Sequence, residues 1–65
     1  MELTPREKDV IALVAEGYGD KEIALQLRIS PRTVSTHVSK LLLKMNARNR
    51  CKAVAIYVAQ NFNHN

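Results

Sequence analysis

The side chains able to do chemistry in this 65-residue chain are cations and short hydroxyls. Positions 28 to 52 carry Arg28, Arg32, Lys40, Lys44, Arg48, Arg50 and Lys52 with no acidic residue among them. Ser35, Thr36 and Ser39 stand between Arg32 and Lys40. Such a run attracts a polyanion, and short hydroxyls can exchange hydrogen bonds with its polar edges. Nucleic acid is the first partner implied and an acidic membrane surface the second. A basic face kept only for solubility is the plainer alternative.

Nucleophilic and metal chemistry have no comparable support. Cys51 is the one cysteine, so no intramolecular disulfide can form, and with His37 and His64 it makes no zinc-binding spacing. His37 falls on the inward edge of its predicted helix and is expected to be a hydrogen-bonded structural residue. A chain this short cannot enclose a substrate cavity of several hundred Å³ and keep a core. No enzyme, cofactor or metal is expected. No apolar run reaches the roughly 18 residues of a membrane span, and no signal peptide opens the chain. The expectation is a soluble, cytoplasmic domain.

The charge is divided along the chain. The net value of +4 is −3 over residues 1–20 and +7 over residues 21–65, where Glu22 is the sole acid. The elements that must position the cations follow from local punctuation. Thr4-Pro5-Arg6-Glu7 has the form of a capping box with proline at the first helical position. Val10, Ile11, Leu13 and Val14 supply an apolar stripe, and Gly17 and Gly19 end the helix near residue 16. A short second helix, 20–27, turns Ile23, Ala24 and Leu27 to one side. Arg28-Ile29-Ser30 leaves room only for a tight turn, and Ser30-Pro31 starts a third helix that runs to residue 45.

The third helix separates into two faces at 100° per residue. Val34, Val38, Leu41, Leu42 and Met45 lie on one. Arg32, Ser35, Thr36, Ser39 and Lys40 lie on the other, and Leu43 falls outward with them. Asn46 suits a left-handed terminator, and Asn49 can cap a fourth helix over 50–60 with Ala53, Val54 and Tyr57 inward. Residues 61–65 read as a fraying end. The architecture expected is all-α, one domain over residues 1–65, built around a helix–turn–helix.

These residues resemble the LuxR/NarL-type DNA-binding domain of bacterial transcriptional regulators. The matching stretches are Leu3-Thr4-Pro5-Arg6-Glu7, Lys21-Glu22-Ile23-Ala24, Leu27 with Ile29-Ser30, and Arg32-Thr33-Val34. They continue through His37-Val38, Leu41, Lys44-Met45, Asn49-Arg50 and Ala53-Val54, so the resemblance spans residues 3 to about 60. It implies four helices, sequence-specific binding of double-stranded DNA, a third helix in the major groove and a fourth that often dimerises. It implies base contacts from Ser35, Thr36, Ser39 and Lys40, with phosphate contacts from Lys21 and Thr33. Lys44, Arg50 and Arg32 are further phosphate candidates. Five phosphate contacts would give a log–log salt slope of about −4 to −5 per monomer.

Small residues Cys51, Ala55 and Ala59, flanked by Ile56, line one side of the fourth helix and suit a two-fold homodimer on DNA. The resemblance further implies a phosphoacceptor or small-ligand domain N-terminal to such a domain, as in response regulators, and RNA polymerase as a partner. A promoter-recognising sigma-factor region shares a similar opening, but the capped fourth helix argues against it. A basic helical protein-interaction module is the alternative from another class.

One departure stands out. Family members carry serine or threonine and then asparagine before Lys-Glu-Ile-Ala, and this chain has Gly19 and Asp20. A Ser/Thr-x-x-Glu box is expected to be lost there, at a cost of about 1 kcal/mol or less. The charge of Asp20 favours the helix start but opposes a nearby phosphate.

Overall fold

The computed structural model describes residues 2–62. Four helices follow in order: α1 (Pro5–Ala15), α2 (Asp20–Leu27), α3 (Pro31–Met45) and α4 (Arg50–Phe62). There is no strand among the described residues. The expected bounds of α2 and α3 match. α1 ends one residue early, and α4 runs two residues beyond 60, where Asn61 donates its amide to the Tyr57 carbonyl at 2.8 Å. The rest of the expected fraying end, residues 63–65, lies outside the described residues.

Local chemistry sets each start. At α1 the capping box is complete: Glu7 N–H donates to Thr4 Oγ1 at 3.1 Å, and Thr4 N–H donates to Glu7 Oε1 at 2.8 Å. At α3, Ser30 Oγ accepts the Thr33 N–H at 3.0 Å; at α4, Asn49 Oδ1 accepts the Lys52 N–H at 2.9 Å. At α2 half the box survives. Gly19 has no side chain to accept, yet Glu22 Oε1 still takes its N–H at 2.8 Å.

The first three helices end alike. A left-handed residue follows each, namely Gly17 (φ +97°), Arg28 (φ +60°) and Asn46 (φ +54°). The next residue folds its N–H back: Tyr18 to the Leu13 carbonyl, Ile29 to Ala24 and Ala47 to Leu42, at 3.2, 3.0 and 2.9 Å. This is the Schellman closure, and Tyr18, Ile29 and Ala47 pack partly into the core as it requires. Arg28 takes the left-handed conformation that glycine would take more cheaply.

The core is one cluster of Val10, Ile11, Ile23, Ala24, Val34, Val38, Leu41, Met45 and Ala53. α1 packs on α3 and α4, while α2 packs chiefly on α3. Ala24 on α2 and Val34 on α3 are both buried at the crossing of the helix–turn–helix, where a small alanine permits close approach.

Candidate nucleic-acid interface

α3 carries the expected face. Arg32, Thr33, Ser35, Thr36, Ser39 and Lys40 are all exposed, as is Leu43 at 82%. The periodicity of the helix puts Leu43 one turn beyond Ser39, so this face ends in an apolar side chain. No carboxylate stands on α3 itself.

The hydroxyls on this face are not equivalent. Thr36 Oγ1 donates to the Arg32 carbonyl one turn back, at 3.1 Å, which directs its proton into the helix and leaves its methyl group available outward. Ser35 Oγ donates to Asp20 Oδ2 at 3.2 Å. Thr33 Oγ1 shares a hydrogen bond with Ser30 Oγ at 2.9 Å. Ser39 and Lys40 make no side-chain hydrogen bond or ion pair among the described residues.

The cations divide the same way. Lys21, Arg28, Arg32, Lys40, Arg48 and Lys52 have no carboxylate partner among the described residues, and all six are exposed. Lys44 and Arg50, both expected on phosphate, meet carboxylates of the protein. Lys44 Nζ lies 2.8 Å from Glu7 Oε1, the same oxygen that takes the Thr4 N–H. Glu7 is 2% exposed. Its carboxyl is held below the usual 4.5, first by the Lys44 hydrogen bond and then by the Thr4 backbone, against the opposing effect of burial.

Arg50 Nη2 lies 2.7 Å from Asp20 Oδ1. That oxygen is shut off from water and receives no aligned hydrogen bond, so the contact is a charge pair without a directed N–H. Asp20 thus joins the start of α2 to the outer face of α3 and the start of α4. Sequence reasoning marked Asp20 as an unusual residue but not as a member of the site. Its negative charge at a helix start, directly before the basic stretch, was the available signal.

His37 is half-buried, but no side-chain hydrogen bond holds its ring among the described residues, contrary to expectation. On α4, Cys51, Ala55 and Ala59 are exposed, with Val58 beside them at 41%. Ile56, expected on the same face, is instead partly buried against the core. A groove lined by Leu3, Ile11, Met45 and Tyr57, among others, is open to solvent rather than enclosed. No cluster of metal-ligating side chains occurs among the described residues, and no helix there is long and apolar enough to cross a membrane.

Two helices locked by a left-handed turn, the second presenting a basic and hydroxyl-rich face, define a helix–turn–helix domain of a transcriptional regulator. The profile of the bacterial regulatory proteins, luxR family, matches residues 1–57, and the chain belongs to that family. Membership implies DNA binding.

Among its relatives is an uncharacterized transcriptional regulatory protein, YhcZ, of Bacillus subtilis (strain 168). It is 48% identical over 62 residues, covering 95% of this chain and 29% of that protein. The response regulator protein VraR of Staphylococcus aureus (strain NCTC 8325 / PS 47) is 44% identical over 59 residues, covering 91% and 28%. A probable transcriptional regulator, ycf29, of Porphyra purpurea is 48% identical over 59 residues, again covering 91% and 28%. The chain therefore spans less than a third of the length of these relatives.

Proposed function

We propose that this domain binds double-stranded DNA at particular sequences, with α3 lying in the major groove. The observation that carries the reading is the exposed face of α3, where Ser35, Thr36, Ser39 and Lys40 line up without a carboxylate on that helix. These four are the proposed base contacts. Thr36 offers a methyl group suited to thymine, and Lys40 offers three donors suited to guanine O6 and N7. Lys21, Arg32 and Thr33, near the starts of α2 and α3, are the proposed phosphate contacts, where free backbone amides and the helix dipole add to the attraction. Lys44 and Arg50 contribute chiefly by holding the frame.

Two copies are proposed to join through Cys51, Ala55, Val58 and Ala59 of α4. Their exposed small and apolar side chains support the reading, since a single recognition helix reads too few bases for specificity. In a longer protein the domain would serve as the output part, controlled by an N-terminal regulatory domain as in a response regulator and acting on RNA polymerase.

Selection of bound sites from random duplexes tests the proposal. An enriched inverted repeat is expected, with Lys40→Ala and Ser39→Ala each relaxing preference at one position. Cross-linking at Cys51 should be strongest on duplexes carrying both half-sites. Absence of any enriched motif would overturn sequence-specific binding, and a strictly 1:1 complex on the inverted repeat would overturn the dimer.

A further inference from the structure

Asp20 has one carboxylate and two distinct neighbours. Its Oδ2 takes the Ser35 hydroxyl at 3.2 Å, and its Oδ1 faces Arg50 Nη2 at 2.7 Å. An ionised carboxylate can only accept hydrogen bonds, so the proton in the contact with Ser35 belongs to Ser35. A serine hydroxyl has one proton and two lone pairs. With the proton turned toward Asp20, Ser35 has only lone pairs left for whatever approaches the outer face of α3.

We infer that Asp20 determines specificity by fixing Ser35 as a hydrogen-bond acceptor, so that the base opposite Ser35 must present an amino group. In the major groove that group is adenine N6 or cytosine N4, whereas guanine O6 and thymine O4 would meet the lone pairs of Ser35 with their own. The inference rests on the proposed docking of α3. Arg50 is part of the device. Its cation engages Oδ1 and so leaves Oδ2 to Ser35, and it offsets a negative charge that would otherwise stand close to the DNA backbone. Exclusion of water by a bound duplex strengthens the arrangement, because the Ser35 proton then has few competing acceptors.

Asp20→Asn provides the test, since the amide has nearly the shape of the carboxylate. The positive charge of Arg50 keeps the amide oxygen on its own side and turns the Nδ2 donors toward Ser35. Ser35 then accepts, and its proton points outward. Sites are to be selected from random duplexes with the unmodified domain, Asp20→Asn, Ser35→Ala and the double variant, with folding of each checked by circular dichroism.

The unmodified domain should favour adenine or cytosine at one position by about fivefold, the worth of one hydrogen bond. Asp20→Asn should move that position to guanine or thymine by a similar factor. Ser35→Ala and the double variant should both lose preference there and give the same profile. Loss of the carboxylate charge in Asp20→Asn, with Arg50 still on the amide oxygen, should raise affinity evenly over all sites without altering other positions. Should Asp20→Asn not fold, Asp20→Ser, whose side chain is too short to hold the same contact, should relax that one position toward all four bases. A motif that keeps its amino-group preference in these variants would overturn the inference, as would one indifferent to Ser35→Ala. Absence of any motif from the unmodified domain instead defeats the docking of α3, and the inference with it.

Discussion

Glu7 shows how much one side chain does in a domain this small. One of its oxygens closes the capping box of α1 and also takes the Lys44 ammonium at the far end of α3. Because its folded-state proton affinity is held below the ordinary value, the stabilisation is present above about pH 4.5 and disappears as pH falls through the lower folded value. Urea unfolding midpoints should therefore drop on acidification, and Glu7→Gln should flatten that acid limb. Lys44→Met leaves the Glu7 carboxylate with the Thr4 N–H but without its cation and should cost about 1.5 kcal/mol at neutral pH, with the loss shrinking in acid where Glu7 protonates. If Lys44→Met instead weakens only DNA affinity and leaves unfolding unchanged, Lys44 is a phosphate contact after all. Sequence reading assigned Glu7 to its local box and Lys44 to DNA, each on sound local grounds. Their pairing depends on how α1 packs on α3, and no periodicity reports that.

At the level of the helices, legibility was high because the signals are short-range. Thr4, Ser30 and Asn49 cap as their types suggest, and Asn46 terminates α3 in the left-handed conformation. α2 is the informative exception. The box expected to be lost there is half present, since Glu22 reaches Gly19 without a serine to answer it. Gly19 has an ordinary φ of −86°, and a Cβ there would meet Glu22 Oε1 at an easy 3.8 Å. Gly19→Ser should complete the box and add roughly 0.5 kcal/mol, a rise in Tm of about 2–4 °C. Gly17 gives the opposite result despite the open space around it. Its φ of +97° makes Gly17→Ala destabilising by about 1 kcal/mol. Thermal melts of the two variants check both directions. Position 50 was harder to read: Arg50 opens α4 as expected, but its partner Asp20 lies on a helix brought close only by the fold.

For the molecule as a whole, the carboxylate pairs change the electrostatic expectation. Sequence counting put about five contacts on phosphate, but Lys44 and Arg50 are matched inside the protein. Thr33 carries no charge. The cations left among the proposed phosphate contacts are Lys21 and Arg32, which together give a salt slope of about −2 per monomer. Titration of affinity against salt checks this, and a slope steeper than about −3 would mean that further cations, either exposed ones such as Lys40 and Arg48 or those of an opened pair, also meet phosphate. The distribution of the core has a separate consequence. α2 has eight residues, buries only Ile23 and Ala24, and lacks a side-chain acceptor at its start. Amide protons in that helix should therefore be weakly protected from exchange with solvent, because its local opening exposes little apolar surface. The segment on which the turn depends is then one whose order a ligand can raise, and a bound duplex would register as slowed exchange in α2.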